Sequence, residues 1–329
     1  MDINRNPTPA GDAFFDNERG VWLQDYNIWD GTTTKVVRYM YNGTQWIEDF
    51  QSKNVQNTVN SQNYSSNQVI SNSQNNNEKE IEIKLTKGIP NTTAGISLKK
   101  SVINLNKSII DLSKKTGIDL GDHKARVAVV MDYSGSMRSL YSSGAVQRVL
   151  TRLMPLALRF DDNGELDIWL FNQSYKAIES MNLGNFENYV TEVANKSGFS
   201  FGATSYAPVL NDVLKTYFGK KSTLFGGLFN KKQEEPPVFV IFITDGSNSD
   251  RSATNEVIKE SANKKIFIQF VGIGNETFDY LQKLDDLKDR TVDNTGFIRV
   301  EDFEKLQDEE VYQMLLSQYP EWLKSMGLK

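Results

Sequence analysis

The pattern of apolar residues changes near residue 121 of this 329-residue chain. From there to the C-terminus, short continuous apolar runs alternate with stretches whose apolar residues recur every three or four positions. The runs predict buried strands and the stretches predict amphipathic helices. Predicted strands cover 126–131, 165–171, 238–244, 265–272 and the region of Phe297, and predicted helices cover 145–160, 186–195, 207–218, 253–263, 277–287 and 309–324. This alternation predicts an α/β domain at 121–329, with a doubly wound, mostly parallel sheet flanked by helices.

Two segments of different composition open the chain. Residues 1–50 contain three of the five tryptophans and two β-rich runs, 35–41 and 44–47, separated by Asn42-Gly43. Asn-Gly pairs tolerate positive φ angles and are typical of tight hairpins, so a small β-rich aromatic module is predicted. Residues 51–80 are rich in Asn, Gln and Ser and are predicted to form a disordered linker, because they offer too little apolar surface to offset chain entropy.

Residues 81–120 repeat the pattern Ile-x-Leu-x-Lys. The copies begin at Ile83, Ile96, Ile103 and Ile110, and the last three recur every seven residues. Alternation within each copy favours short strands with Ile and Leu on one face. A seven-residue period is also typical of a helical seam, but the Asn, Ser, Thr and Ile content has weak helix propensity. We therefore predict repeat strands in this segment.

Charge and composition exclude several function classes. The formal net charge is -5, which argues against a nucleic-acid partner. There is no cysteine, so disulfides, thiolate metal sites and cysteine nucleophiles are excluded. The single histidine, His123, precedes the first strand of the domain and is expected to be exposed or to cap an element. No signal-peptide pattern and no run of 18 apolar residues is present, so a cytoplasmic protein without a membrane span is predicted.

Polar loops follow the predicted strands at the edge where α/β sheets bind ligands, beside the carboxyl ends of the strands. The loops read DYSGSM at 132–137, FGATS at 201–205 and TDGS at 244–247. Each motif alone also fits a helix cap or a turn. Together they bring two carboxylates and three hydroxyls to one edge, and such oxygen ligands suit Mg²⁺, Mn²⁺ or Ca²⁺. The candidate metal ligands are Asp132, Ser134, Ser136, Thr204 and Asp245.

This set of residues resembles the metal-ion-dependent adhesion site of von Willebrand factor type A (vWA) domains. The resemblance implies that Ser134 and Ser136 bind the metal directly. It implies that Thr204 binds directly or through water, and that the two aspartates act mainly through water. It also implies a protein partner whose Asp or Glu carboxylate fills an open coordination position. The residues expected to form the rim that contacts this partner are Tyr133, Met137, Arg138, Ser205 and Ser247.

The vWA region further resembles tellurium-resistance (Ter) proteins of the TerF type. Segments that carry this resemblance include 156–171, 267–274, 281–286 and 319–323. The Ile-x-Leu-x-Lys units resemble the short strands that open Ter β domains, so the resemblance covers 81–329 and not 1–78. It implies a bacterial or phage protein of the cytoplasm that is tied to a stress response.

We predict a binding module rather than an enzyme, with two alternatives left open. The same acidic site could serve a Mg²⁺-dependent phosphoester hydrolase, although no Gx4GK[ST] phosphate loop is present. The domain could also be a structural scaffold with an empty site. Arg138, Arg251 and the lysines of the 219–237 loop could form an anion-binding rim, but we interpret them as solvated loop charges. The two Leu-Phe pairs of that loop could shape the choice of partner.

Overall fold

The computed structural model describes residues 83–219, 235–246 and 248–328, together with five strands between residues 8 and 48. The chain divides into two compact units, Met1–Ser71 and Asn72–Lys329. The predicted linker at 51–80, most of the 219–237 loop with its Leu-Phe pairs, and Ser247 lie outside the described residues.

The first unit contains a five-stranded antiparallel sheet, with β3 pairing with β1, β2 and β4, and β5 pairing with β4. Tyr41 lies opposite Trp46 in the β4–β5 pair, which confirms the predicted pairing of the two β-rich runs. Leu23 is buried, and Arg38 forms a two-point ion pair with Asp25. The strands are β1 Thr8–Pro9, β2 Phe14–Asp16, β3 Val21–Trp29, β4 Thr34–Tyr41 and β5 Trp46–Glu48.

A six-stranded sheet forms the centre of the second unit, in the order β11-β10-β9-β6-β7-β8. All neighbours are parallel except β7 and β8. The predicted mostly parallel sheet is therefore confirmed. The antiparallel edge strand β8 was not predicted, because its largely exposed positions give no apolar run. The strands are β6 Arg126–Asp132, β7 Leu166–Phe171, β8 Tyr175–Met181, β9 Val238–Thr244, β10 Ile266–Ile273 and β11 Thr295–Val300.

Helices cover both faces of this sheet, as predicted. They are α1 Thr93–Thr116, α2 Arg138–Ser142, α3 Ala145–Phe160, α4 Ala207–Phe218, α5 Arg251–Ser261, α6 Asp279–Asp285, α7 Asp308–Leu315 and α8 Tyr319–Ser325. The predicted helix at 186–195 is a 3-10 turn, Phe186–Asn188, followed by a π-helix, Val190–Ala194. The predicted final helix is two helices, with Pro320 in the first turn of α8, where its missing N–H costs nothing.

The two faces of the sheet build two hydrophobic layers. Val127 and Val129 of β6 face the layer that includes residues of α1, α3, α7 and α8. Ala128 and Val130 face the layer that includes residues of α4, α5 and α6. Every position of β9 is buried, as expected for a central strand covered on both sides.

The segment 93–116 is a helix, so the predicted repeat strands at 81–120 were wrong there. Its buried stripe follows helical spacing, at Leu98, Val102, Leu105, Ile109 and Leu112, whereas the first isoleucine of the seven-residue repeat, Ile96, is 61% exposed. The helix packs into the same core as the sheet. The free energy gained by burying this stripe outweighs the cost of its weak helix formers, about 0.5 kcal/mol per residue relative to alanine.

The polar residues that argued against this helix have partners on the C-terminal segment. Ser101 Oγ donates to Asp308 at 2.7 Å, and Ser108 Oγ lies 3.5 Å from the backbone oxygen of Glu309. Thr92 caps the helix by accepting from the Gly95 N–H, and Gly117 ends it at a φ of 71°. The polar positions of α1 therefore hold it against α7 rather than opposing helix formation.

The strand order fixes where a ligand site can form. The chain moves outward from β6 to β8 on one side, and from β9 to β11 on the other. The crevice between the carboxyl ends of β6 and β9 is therefore the topological switch point, the usual ligand position in open α/β sheets.

Across the described residues, none of the helices has both the length and the apolar character that a bilayer crossing requires.

Candidate metal centre

Asp132 ends strand β6 and organises the first loop of the site. Its side chain is completely buried. Its Oδ1 accepts from the Ser134 backbone N–H at 2.8 Å, and its Oδ2 accepts from Thr244 Oγ1 at 2.6 Å. This turn brings the hydroxyls of Ser134 and Ser136 to within 3.1 Å of each other. Two of the predicted hydroxyl ligands therefore converge beside the first predicted carboxylate.

The second loop is hydrogen-bonded directly to the first. Gly202 forms a parallel bridge with Ser134: its N–H donates to Tyr133, and its backbone oxygen accepts from Gly135 at 3.1 Å. A Cβ atom at Gly202 would meet the end of the Gln173 side chain, whose Oε1 accepts from the Ala203 N–H, so a larger residue here would displace that contact. Thr204 follows two residues later and is 6% exposed. The bridge thus holds the predicted threonine ligand close to the serine pair.

The third loop follows β9 and is joined to the second. Ser249 donates to the backbone oxygen of Thr204 from its N–H at 3.0 Å and from its hydroxyl at 2.7 Å. The hydroxyls of Tyr206 and Thr244 lie 3.1 Å apart. Thr244 therefore links the buried Asp132 carboxylate to the helix that follows the second loop. The sequence placed Thr244 in the site region but did not predict this role.

Asp245 and Asp132 leave an uncompensated negative charge at this edge. Burial, with a smaller contribution from the charge of Asp245, raises the pKa of Asp132 to about 6, against the opposing hydrogen bonds from Thr244 and Ser134. Asp245 Oδ1 is buried and has no hydrogen-bond partner among the residues that the structure describes. Within the described part of the chain, neither carboxylate forms an ion pair with a basic side chain. A buried unpaired polar atom costs about 1–3 kcal/mol, so this oxygen is suited to a cation.

The donor set fits a hard divalent cation. The five predicted ligands offer only carboxylate and hydroxyl oxygens, the ligand type that Mg²⁺, Mn²⁺ and Ca²⁺ prefer. The partnerless oxygen of Asp245 and the paired hydroxyls of Ser134 and Ser136 are the features that a bound cation would satisfy. The residues that could hold it are Asp132, Ser134, Ser136, Thr204 and Asp245.

The predicted rim is only partly exposed. Tyr133 and Met137 are 4% and 0% exposed, so their assignment to a partner-binding rim was wrong. The Tyr133 ring stacks on the ring of Phe201, with 4.0 Å between the centroids, and this contact keeps the Tyr133 side chain buried between the two loops. Arg138 is exposed and Ser205 is half-buried, so both stay candidates for partner contact.

His123 lies at the opposite end of the sheet and is buried, so the prediction of an exposed or capping residue was wrong. It is 5% exposed, and its Nε2 lies 2.8 Å from the Tyr319 hydroxyl. Burial, helped by the charges of Arg159 and Lys124, lowers its pKa to about 4. Because β6 has seven residues, it separates His123 from Asp132 by about 20 Å at 3.3 Å per residue.

Comparison with known proteins gives one curated relative, YcbR of Bacillus subtilis (strain 168). It is 38% identical over 202 residues, which cover 61% of this chain and 78% of that protein.

Among solved structures, the matches include proximal thread matrix protein 1 of the mussel byssus with a zinc-occupied MIDAS motif. Its TM-score is 0.44 at 16% identity, over 60% of this chain and 48% of that one, about half its length. Manganese-loaded TRAP protein of Plasmodium vivax has a TM-score of 0.42 at 16% identity, over 60% of this chain and 73% of that one. Residues 124–329 match the family model described as the vWA found in the TerF C terminus, and the chain therefore belongs to this TerF-like vWA family, as the sequence resemblance predicted.

Proposed function

We propose that this protein is a metal-dependent protein-binding module. A divalent cation held by Asp132, Ser134, Ser136, Thr204 and Asp245 takes a carboxylate from an Asp or Glu of a partner. The observation that carries the proposal is the buried, partnerless Asp245 Oδ1 at the same edge as the paired serine hydroxyls. The two carboxylates balance the charge of a divalent cation, so a partner carboxylate would bind by filling an open coordination position and not by completing the charge.

Mg²⁺ is the cation we propose, with Mn²⁺ and Ca²⁺ as alternatives. Mg²⁺ demands octahedral geometry and keeps several waters. A set dominated by neutral hydroxyls leaves room for such waters and for one exchangeable partner oxygen. Ser136 is exposed, whereas Asp132 and Ser134 are buried, so partner access is from the Ser136 side.

Binding rather than catalysis is supported by the groups that surround the site. A hydrolase needs a group that activates water within hydrogen-bond reach of the metal-bound substrate. The single histidine is buried about one strand length away, hydrogen-bonded to Tyr319. The hydroxyl of Thr244 donates to Asp132, and the hydroxyl of Tyr206 bonds that of Thr244. These groups are arranged to fix the loop, which favours a binding role.

We further propose a cellular setting for this binding role. Membership of the TerF-like vWA family supports a role in a bacterial stress response of the tellurium-resistance type, in the cytoplasm. Tellurite itself need not be a ligand, because the proposed partner chemistry is a protein carboxylate.

The first experiment measures Mg²⁺-induced stabilisation of the full chain. Binding at 100 times the dissociation constant raises the free energy of unfolding by about 2.7 kcal/mol. We expect this gain in the wild type and its loss in Asp132→Ala and Asp245→Ala. Asp279→Ala, which removes an exposed carboxylate from the first turn of α6, is the matched control and should keep the gain. An equal response of all four proteins would refute the metal site.

The second experiment asks whether the bound metal holds a partner. Bacterial lysate is passed over immobilised wild type and Asp132→Ala, each with Mg²⁺ and with EDTA. A protein retained only by the wild type with Mg²⁺, and released by EDTA, supports the proposal. Mg²⁺-dependent hydrolysis of p-nitrophenyl phosphate that Asp132→Ala abolishes would instead establish the hydrolase alternative.

A further inference from the structure

Two arginines begin the helices that follow the first and third loops of the metal centre. Arg138 is the first residue of α2, and Arg251 is the first residue of α5. Both are exposed. Throughout the described residues, neither guanidinium forms an ion pair or a side-chain hydrogen bond, and each contacts an aromatic ring instead.

The aromatic contacts hold the two guanidinium groups in place. The guanidinium carbon of Arg138 lies 4.4 Å from the ring centroid of Phe201, whose ring also stacks on Tyr133 at 4.0 Å. The guanidinium of Arg251 lies 5.0 Å from the ring of Tyr280, whose hydroxyl donates to the Arg251 backbone oxygen at 2.9 Å. Such contacts are worth about 0.5–1 kcal/mol at exposed sites. They lower the entropy lost when an anion is bound.

The position of Arg251 is unfavourable for the helix itself. A positive charge in the first turn opposes the helix dipole by about 0.3–1 kcal/mol. The adjacent carboxylate, that of Asp250 at the N-cap, accepts hydrogen bonds from the Tyr206 and Ala207 N–H groups, and among the described residues it forms no ion pair with Arg251. An anionic ligand is the natural source of a counter-charge for the arginine.

Both arginines border the proposed metal ligands. Arg138 follows Ser136 by two residues, which limits their Cα separation to about 7 Å. Arg251 follows Ser249 by two residues, and Ser249 donates two hydrogen bonds to the backbone oxygen of Thr204. The two positive charges therefore border the metal centre at the first loop and at the joined second and third loops.

We propose that Arg138 and Arg251 each bind a further carboxylate of the partner, so that the partner segment is acidic and not merely a carrier of one Asp or Glu. This inference rests on the proposed function. It replaces the interpretation of these arginines as solvated loop charges. A local positive surface is needed here, since the chain carries a net charge of -5 and repels an acidic partner at long range.

The test uses two synthetic seven-residue peptides in saturating Mg²⁺ and low salt, with affinity measured by fluorescence anisotropy. One peptide has a central Glu flanked by Gln, and the other has Glu at the centre and on both sides. We expect the wild type to bind the triple-Glu peptide about tenfold more tightly. Arg138→Gln and Arg251→Gln should each reduce that affinity about two- to fivefold, the range of exposed ion pairs, and reduce the single-Glu affinity by less, so that the preference for the triple-Glu peptide falls.

Lys215→Gln is the matched control. It removes an exposed positive charge from the last turn of α4, about 12 Å along the helix from its start beside the site. Its affinity for both peptides should equal that of the wild type. Mg²⁺-induced stabilisation, measured on every variant, reports whether the fold and the metal site are intact.

The outcomes separate the two proposals. Equal wild-type affinity for both peptides, dependent on Mg²⁺, overturns the acidic-segment inference and leaves the proposed function standing. Absence of Mg²⁺-dependent binding to either peptide contradicts both. Loss of Mg²⁺ stabilisation in Arg138→Gln or Arg251→Gln would show that the arginine supports the metal loop rather than the partner, and this also overturns the inference.

Discussion

The two ends of strand β6 each hold a buried aspartate with a raised pKa, but in opposite surroundings. Asp161, beside the amino end, accepts from the Val127 N–H at 3.2 Å and from the Asn163 N–H at 3.3 Å, and pairs with Arg126 at 3.4 Å. Asp132, at the carboxyl end, lies near a second carboxylate, Asp245, and has no basic partner among the described residues. Burial raises both pKa values to about 6, and a hydrogen bond between the Asp161 and Asp162 carboxyl groups adds to the rise at the amino end.

This comparison shows that a raised pKa does not by itself mark a functional site. At the amino end the fold supplies the counter-charge, so the carboxylate is a structural group. At the carboxyl end the described residues supply no counter-charge, and none of them forms a hydrogen bond with Asp245 Oδ1. The open charge balance is the feature that separates a candidate metal centre from a structural aspartate.

The largest expected change in stability comes from removing Asp161, at the amino end of β6. Asp161→Ala should lower the free energy of unfolding by about 2–3 kcal/mol, with or without Mg²⁺, because the buried Val127 N–H loses its acceptor and Arg126 keeps only the exposed Asp162 as an ion-pair partner. Urea unfolding in EDTA and in Mg²⁺ measures this. Asp111→Ala, which removes an exposed carboxylate from α1, is the control and should change stability by less than about 0.5 kcal/mol. Equal losses of unfolding free energy in the two variants would contradict a structural role for Asp161.

The next effect is the acid sensitivity caused by His123. Its pKa is lowered to about 4 in the folded protein, so between pH 6.5 and 4 the unfolded chain binds a proton that the folded chain does not. The fold with an uncharged His123 therefore has its full stability above pH 6.5 and loses stability as the pH falls towards 4. At 1.36 kcal/mol per unit, the loss is on the order of 2 kcal/mol by pH 4.5.

Metal-free unfolding curves at pH 7 and 4.5, compared for the wild type and His123→Gln, measure this effect. The variant should lose about 2 kcal/mol less than the wild type on acidification. Asp161 acts in the opposite direction, because its raised pKa favours proton uptake by the folded state, but its contribution is common to both proteins. Parallel pH curves for the two proteins would contradict the burial of an uncharged imidazole.

The smallest effect has the opposite sign to that of Asp161→Ala. In EDTA, Asp132→Asn should be as stable as the wild type or up to about 1 kcal/mol more stable. The amide oxygen still accepts from the Ser134 N–H and the amide NH2 donates to Thr244 Oγ1, while a buried charge beside Asp245 is removed. In saturating Mg²⁺ the order should reverse, because only the wild type binds the ion. If Asp132→Asn instead lowered the free energy of unfolding by about 2 kcal/mol in EDTA, Asp132 would be a structural group like Asp161, which would contradict the difference between the two ends of β6.

The strands and the loops that follow them were predictable because their signals are local. The apolar runs that became β6, β9 and β10 are buried at nearly every position. A polar residue directly after such a run lies at the carboxyl end of the sheet, wherever the strand is placed. This is why the sequence indicated Asp132 and Asp245 as neighbours although 113 positions separate them in the numbering.

Other features were not predictable because they depend on contacts between distant segments. Helix α1 was mistaken for strands, since its Ser and Asn residues find partners near Asp308, about 200 residues away. Tyr133 was assigned to the rim, but stacking on Phe201 of the second loop buries it. His123 was expected at the surface, but α8 brings the Tyr319 hydroxyl to its ring.

The sequence by itself determined the α/β alternation, the family and the candidate oxygen ligands, because hydrophobic periodicity and strand-end motifs are properties of short segments. Only the tertiary structure decided which of the buried carboxylates is balanced and which is open. That decision depends on contacts such as Thr244 with Asp132, 112 residues apart, and Arg126 with Asp161, 35 residues apart. Charge compensation is a property of packing, and the pattern of residues along the chain does not contain it.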